Sequence, residues 1–408
     1  MRKRLRWLYE KFLSLFVSKY LEDKKKQKLT NDIIIPFNKP FLTGKETHYM
    51  YMAVYKEAKI SGNGKYTQLC HDFFKKRYNF PQVLLTTSCT DALEMSGLLL
   101  DIKPGDEIII PSFTFVSTAN AFVLRGAKIV FADSYKNHPN IDANKIEELI
   151  TEKTKAIVPV HYGGIACDMD KILKIAKKYN LYVVEDAAQA IESFYKGKPL
   201  GSFGDMAAFS FHETKNIIAG EGGLLVVNNT KFSQRAEIIW EKGTNRAAFF
   251  RGEVKKYNWV DIGSSYLPSE IIAAFLYAQL EELDKIQNRR IKLWERYYHN
   301  LKPLENKGFI KLPIIPEYAS NNGHIFYITT ENQTIRDALI AYLKKQGILA
   351  VFHYLPLHLS PFYRNKHDNR ELPNAVRFSQ TIIRLPMFYE LTFDEIDFIC
   401  EKIYNFFN

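Results

Sequence analysis

Between residues 33 and 229 short runs of β-branched and apolar residues alternate with stretches of helical period. The runs Val83–Thr86, Glu107–Ile110, Lys128–Ala132, Ala156–Val160, Leu181–Glu185, Ala207–Phe211 and Leu224–Val227 predict strands. Asp91–Leu100, Ser117–Leu124, Ala143–Ile150 and Met169–Lys178 predict helices between them. Strands that are apolar on both faces and separated by helices argue for an α/β domain. Its mostly parallel, mixed sheet would be sandwiched by helices, with ligands beyond the carboxyl ends of the strands. Further on, Pro268–His299 has the period of one long helix. Phe309–Leu312, His324–Thr329 and Ala350–His353 read as strands, and Arg336–Lys345 and Asp394–Phe406 as helices. They predict a smaller C-terminal α+β domain. The expected division is an extension over 1–32, a large domain over 33–285 and a small one over 286–408.

The first segment has its own pattern. Leu5, Leu8, Phe12, Leu15, Phe16 and Tyr20 follow helical spacing among many basic residues. Such a helix can lie on an anionic membrane surface or pack on the body, and the pattern supports both. Charge sharpens this division. The chain of 408 residues carries a net +11, and residues 1–28, with ten Lys or Arg against three acids, hold +7 of it. The body is nearly balanced, so no nucleic-acid partner is expected. With 46% hydrophobic and 25% charged residues the chain reads as an ordinary globular protein. Its four cysteines (Cys70, Cys89, Cys167, Cys400) show no C-x-x-C spacing, which argues against a zinc site or disulfide framework and for a reducing, cytoplasmic compartment. No apolar run is long enough to span a bilayer. Glu10 and Lys11 break the apolar part of the N-terminus, unlike a secretory signal.

Chemistry gathers at the predicted strand ends. Thr86-Thr87-Ser88-Cys89-Thr90-Asp91 leaves a strand and opens a helix, where backbone N–H groups can hold a phosphate. Val183-Val184-Glu185-Asp186 closes an apolar strand with two carboxyl groups, which are costly there unless they meet a cation such as a pyridinium nitrogen. Gln189, nearby, could hydrogen-bond a ring hydroxyl. Pro111-Ser112-Phe113-Thr114-Phe115 offers an aromatic ring for stacking on a flat cofactor. Phe209-Ser210-Phe211-His212-Glu213-Thr214-Lys215 supplies a hydroxyl and, five residues on, an amine suited to a Schiff base. Each piece alone has a plain structural reading: a helix cap, a core phenylalanine, a surface turn.

Together and in this order they resemble the fold-type I pyridoxal-phosphate enzymes, specifically the sugar-nucleotide aminotransferases of the DegT/DnrJ type, from about Ile35 to Asn408. Val158-Pro159-Val160-His161-Tyr162-Gly163-Gly164 and Gly201-Ser202-Phe203-Gly204-Asp205 add to the likeness. Within that family, the stretches from Ser117 to Phe131, Glu241-Lys242-Gly243-Thr244-Asn245-Arg246, Asp261-Ile262-Gly263-Ser264-Ser265-Tyr266-Leu267 and Ala350-Val351-Phe352-His353-Tyr354-Leu355-Pro356-Leu357-His358 are similar to the TDP-4-oxo-6-deoxy-D-glucose transaminases. Enzymes of that type move the amino group of L-glutamate onto C4, making TDP-4-amino-4,6-dideoxy-D-galactose for bacterial surface polysaccharide.

The resemblance implies pyridoxal 5'-phosphate as cofactor and Lys215 as the Schiff-base lysine. Asp186 would face the pyridinium, Gln189 the ring O3' and Phe115 the ring plane, with Cys89, Thr90 and Ser210 on the phosphate. It also implies a homodimer with active sites at the subunit interface. Ser265 stands where many relatives have an asparagine that reaches the partner's cofactor phosphate. His161, Lys242, Arg246, His324, His353 and His358 are candidates for the sugar or diphosphate, and Asn63 and Gly64 for the site wall. UDP- or GDP-linked keto sugars are the alternative substrates. Dehydratases of the family replace the lysine with histidine, and this chain keeps Lys215. A non-catalytic, pyridoxal-phosphate-binding sensor would have only the basic N-terminus in its favour. No metal is expected, and no G-x-x-x-x-G-K-[ST], G-x-G-x-x-G or H-E-x-x-H pattern points to another chemistry.

Overall fold

The structure, a computed structural model, describes residues 34–408. The extension over 1–32, with its amphipathic pattern, lies outside the described residues. Two helices, α1 (Glu46–Tyr55) and α2 (Lys65–Tyr78), precede the first strand. The strands β1 (Gln82–Thr86), β2 (Glu107–Pro111), β3 (Lys128–Ala132), β4 (Thr154–Ile157) and β5 (Tyr182–Asp186) follow. Then come a short hairpin, β6 (Phe194–Tyr195) and β7 (Lys198–Pro199), and the strands β8 (Met206–Ser210) and β9 (Gly223–Val227). The main sheet has seven strands in the order β1-β9-β8-β5-β4-β2-β3. Only β9 runs against the others: it pairs antiparallel with β1 and β8, and every other neighbouring pair is parallel.

The continuous apolar strands are explained by burial on both faces. Val83, Leu85, Ile109, Ile157, Val183, Ala207, Leu224 and Val226 enter one core beneath α1, α2 and a later helix, α8 (Glu270–Leu280). The alternate residues Leu84, Ile108, Ile110, Ala156, Val184, Met206 and Leu225 enter a second core on the opposite face. A third core gathers Leu293, Tyr297, Phe326, Ile328, Leu339, Ile383, Leu385, Ile396 and Ile403. These come from α9 (Leu283–Asn306), β10 (Phe326–Thr329), α10 (Gln333–Lys345), β11 (Ile382–Leu385) and α12 (Phe393–Phe407).

Several predicted elements differ. Ala143–Ile150 forms two 3-10 turns, Ala143–Lys145 and Glu147–Leu149, with Asp142 accepting from Asn144 N at the first. The long helix expected over Pro268–His299 is two, broken at Glu281–Glu282. There Lys45 Nζ bonds both carboxylates and Tyr49 hydroxyl donates to Glu281, tying the break to α1. The strand expected to run to Val160 ends at Ile157, because Pro159 has no N–H for the ladder. Pairing resumes as a single bridge from Val160 to Asp186. Phe309–Leu312 and Ala350–His353 contribute only isolated bridges, Lys311 to Thr329 and Val351 to Arg384.

Glu185, fully buried, holds the turn that carries the chain from the hairpin into β8. It accepts from Gly201 N (2.8 Å), Phe203 N (2.7 Å) and Gly204 N (2.8 Å), and His161 Nε2 lies 3.0 Å from it. Truncation leaves two buried N–H groups and one half-buried N–H group without an acceptor. Glu185→Ala is therefore expected to cost about 3 kcal/mol or more of unfolding free energy, read by denaturant titration.

Candidate active site

The carboxyl ends of β1, β2, β5 and β8 converge on one cavity of about 780 Å³, within the usual range for a ligand site. Its walls include Ser88, Cys89, Thr90, Phe115, Asp186, Gln189, Ser210 and Lys215. Seven cofactor positions expected from the sequence thus meet around one space.

At the end of β1 the chain turns into α3 (Cys89–Leu99), capped by Ser88, whose side chain accepts from Asp91 N at 3.1 Å. The first N–H groups of this helix have no intrahelical partner and suit an anion. Thr90 Oγ1 sits 2.8 Å from Ser117 Oγ. The start of β9 presses against this turn: a Cβ on Gly223 would stand 2.4 Å from the Ser88 carbonyl and 2.5 Å from Cys89 N. Gly223→Ala must therefore push the turn away. The expected result is cofactor affinity weakened by roughly tenfold or more, about 1.4 kcal/mol, with the fold retained, measured by fluorescence titration of the apo protein.

Asp186 closes β5 and is 5% exposed. Its Oδ2 accepts from Thr118 Oγ1 at 2.7 Å, with Thr114 Oγ1 2.9 Å behind, and its Oδ1 from Ala188 N at 3.2 Å. Burial raises the pKa of this carboxyl, against the opposing pull of Thr118, Ala188, Lys215 and His161. A cation beside it would favour the carboxylate. Gln189 is oriented by its neighbours: Oε1 accepts from Gly163 N (2.6 Å) and Nε2 donates to Tyr354 hydroxyl (2.9 Å). Phe115, 55% exposed, precedes α4 (Val116–Val123) and turns its ring toward Tyr354, 6.1 Å between centroids.

Lys215 lies in a loop closed at its base by Phe211 N to Gly222 O (2.8 Å) and Ala219 N to Phe211 O (2.7 Å). The next residue, Asn216, is fixed by bonds to Gln287, the Asn322 carbonyl and His324 Nδ1, at 2.9–3.0 Å. Burial, with a smaller push from the Arg384 charge, lowers the pKa of the Lys215 amine, while Cys89 and Asp186 oppose the shift. An amine so held is more readily neutral, and hence nucleophilic, than a solvated lysine.

Of the residues considered for the sugar, His324 and His353 line the cavity. Burial first, then nearby cations, keeps both imidazoles well below their ordinary pKa. His353 Nδ1 is 2.6 Å from Tyr162 hydroxyl and its ring stacks on Tyr354 at 3.6 Å. The other candidates do not line this cavity. His161 is fully buried between Glu185 and Cys167 N, and His358 is buried against Ser112 at 2.6 Å. Lys242, Arg246 and Ser265 lie exposed around Glu241, which bridges Ser265, stands 3.9 Å from Arg246 and accepts from Asn63 Nδ2 at 3.1 Å. Gly64 N is engaged by Glu270 at 2.8 Å. Sequence reasoning passed over Tyr354 and Arg384, both in the cavity wall; for Arg384 the signal is a lone charge inside the apolar run Ile382-Ile383-Arg384-Leu385.

The donor set fits pyridoxal phosphate: a helix N-terminus with hydroxyls beside it, a buried carboxyl, an aromatic face and a buried amine share one space. Bound there, the cofactor supplies an electron-withdrawing ring that stabilises charge on a carbon losing its proton.

Comparison with known proteins agrees with this geometry. The profile of the DegT/DnrJ/EryC1/StrS aminotransferase family matches residues 43–404. GDP-perosamine synthase of Escherichia coli O157:H7 is 33% identical over 378 residues, covering 92% of this chain and 99% of that protein. Among solved structures, Spr1654 of Streptococcus pneumoniae in its PMP form superposes with a TM-score of 0.83 at 27% identity, over 91% of this chain and 98% of that one, and it is also known in a PLP form. PseC of Helicobacter pylori, an aminotransferase of pseudoaminic acid biosynthesis, gives a TM-score of 0.83 at 26% identity over 91% and 99%. The chain belongs to the DegT/DnrJ/EryC1/StrS aminotransferase family and is a pyridoxal-phosphate-dependent sugar aminotransferase.

Proposed function

We propose that the chain transfers the amino group of L-glutamate to C4 of TDP-4-dehydro-6-deoxy-D-glucose, giving TDP-4-amino-4,6-dideoxy-D-galactose for a surface polysaccharide. The observation that carries an aminotransfer is Lys215, an amine of lowered pKa in the same cavity as buried Asp186. The choice of sugar rests on the 117–131, 241–246, 261–267 and 350–358 segments. A GDP-linked 4-keto sugar is the second reading, favoured by the likeness to GDP-perosamine synthase.

In this reading Lys215 carries the proton between the reacting carbon and the cofactor in both half-reactions. Asp186 keeps the ring nitrogen protonated, and Thr118 holds Asp186 in place. Gln189 meets the ring hydroxyl, Phe115 covers the ring, and Cys89, Thr90 and Ser210 hold the phosphate. His324 and His353 face the substrates. The chain works as a homodimer divided into units near 33–285 and 286–408. Lys242, Arg246 and Ser265, clustered outside this subunit's cavity, contribute to the partner's site. Among the described residues no helix is long and apolar enough to cross a membrane. We place the enzyme in the cytoplasm, with residues 1–28 touching the inner membrane face.

The test is incubation with pyridoxal phosphate, L-glutamate and a panel of TDP-, UDP- and GDP-4-keto-6-deoxy sugars, with the C4 configuration of any amine read by NMR. Axial amine from the TDP sugar is the expected result; reaction with a GDP sugar alone would replace the first substrate by the second, and reaction with a UDP sugar alone would overturn both.

A further inference from the structure

Tyr162 stands behind the cavity wall and reaches the site through one bond. Its ring is buried among Phe113 (5.4 Å between centroids), Tyr327 (5.8 Å) and Tyr354 (6.2 Å), and it does not line the cavity itself. Its backbone N–H lies 3.0 Å from both Asn140 Oδ1 and Val160 O, which pins the residue. Among the described residues the Tyr162 hydroxyl has a single hydrogen-bond partner, His353 Nδ1 at 2.6 Å. That allows one placement of the protons. Were Nδ1 to carry the imidazole hydrogen, it would donate to the phenol, whose own buried O–H would then have no acceptor. The phenol therefore donates, Nδ1 accepts, and the neutral ring carries its hydrogen on Nε2. Burial, then the charges of Arg384, His324 and Lys215, keeps the imidazole neutral, and burial keeps the phenol protonated. The ring plane is fixed as well, because it stacks on Tyr354 at 3.6 Å and 29°, and Tyr354 hydroxyl accepts from Gln189. His353 lines the cavity, and its Nε2 has no partner among the described residues yet keeps surface of its own rather than being sealed in the wall.

We propose that Tyr162 is a positioning residue that holds His353 in the Nε2–H form, so that Nε2 donates a hydrogen bond to an oxygen of the bound substrate. This rests on the aminotransferase reading and deepens it. Both substrates bring oxygen acceptors, the carboxylates of the amino donor and the carbonyl and hydroxyls of the keto sugar. An N–H fixed in direction suits either. The other tautomer would turn a lone pair toward those oxygens and repel them. An imidazolium would add a further cation beside Lys215 and Arg384, which share the same wall.

The test joins ¹⁵N NMR of the histidine-labelled, full-length, pyridoxal-phosphate-loaded protein to single-turnover rates of the donor and keto-sugar half-reactions. The proteins are wild type, Y162F, H353Q and the double variant, and loss of signals in H353Q identifies those of His353. Wild type should show a neutral His353 with its hydrogen on Nε2, and Y162F should share that hydrogen with Nδ1. At least one half-reaction should be roughly tenfold slower in Y162F, with the cofactor retained. The half-reaction that slows names the acceptor, a carboxylate of the amino donor or an oxygen of the sugar. A glutamine at 353 offers an amide N–H and has no tautomer to set, so Y162F should change rates less than about twofold in the H353Q background. A purely structural tyrosine would cost the same in both backgrounds. That equality, a wild-type His353 that is charged or carries its hydrogen on Nδ1, or unchanged rates in Y162F would overturn the assignment. Should Y162F fail to fold, wild-type protein decides: the Nε2 signal should move on saturation with glutarate or with a nucleotide 4-keto sugar, and a signal unmoved by either would overturn it. The tautomer is read without turnover, so it stays readable even if no sugar of the panel reacts.

Discussion

Lys215→Ala is expected to lower turnover by on the order of 10⁴-fold or more, because one side chain is assigned both the covalent hold on the cofactor and the proton carried at the reacting carbon. The surroundings make the loss hard to compensate. Asn216 is locked by Gln287, Asn322 and His324, the loop is closed by Phe211, and among the described residues no other lysine lines the cavity. Lys215→Arg should fail as well: arginine stays protonated and cannot form the imine. Both variants should still bind pyridoxal phosphate non-covalently through the α3 N-terminus and Asp186. Cofactor that dialyses away after denaturation from the variants, but remains attached to borohydride-treated wild type, would check this directly. Full activity in either variant would remove Lys215 from the reaction.

Asp186→Asn should rank next. A neutral amide preserves the size of the side chain and can keep the bond accepted from Ala188 N, with Thr118 turning its hydroxyl to accept from the new Nδ2, but it cannot hold a proton on the ring nitrogen that the proposed pose sets beside it. The expected loss in kcat is on the order of 10²–10³-fold, the scale of removing one preorganised electrostatic partner from a water-poor site. Glutamate binding should change little, so kcat falls without a matching rise in KM. Thr118→Val, which removes a bond to Asp186 and leaves its charge, should cost less than Asp186→Asn. A larger effect of the threonine would mean that Asp186 acts through geometry rather than charge.

How legible this was in the sequence depended on the range of the interactions. All seven strands of the main sheet were readable, because a strand buried on both faces is apolar at nearly every position and carries its own signal. The seven expected positions that line the cavity could be picked out for a related reason: each lies within a few residues of a strand end, and strand ends of a parallel sheet share one edge; Ser265, which follows no strand of that sheet, does not reach the cavity. Where distant partners decide, the sequence was silent. The helix over 268–299 breaks at Glu281 and Glu282, where Lys45 and Tyr49, some two hundred residues away in the chain, bond both side chains. His161 has the look of a site residue, yet its partner Glu185 draws it to the side of β5 away from Asp186, as alternation along a strand requires. Arg384 is the reverse case. Its lone charge in an apolar run marks it out, but only the antiparallel pairing of β11 with the sequence-distant β10 sets it against the cavity of the large sheet.

The central claim, amino transfer onto a sugar carbon through Lys215, is tested most directly by isotope. The protein is loaded with pyridoxal phosphate, given ¹⁵N-labelled L-glutamate and a nucleotide 4-keto-6-deoxy sugar, and followed by mass spectrometry and NMR. One ¹⁵N at C4 of the sugar nucleotide for each 2-oxoglutarate released, in wild type and not in Lys215→Ala, is the predicted result. A sugar product that has lost oxygen without gaining ¹⁵N, or label transfer that survives in Lys215→Ala, would contradict it.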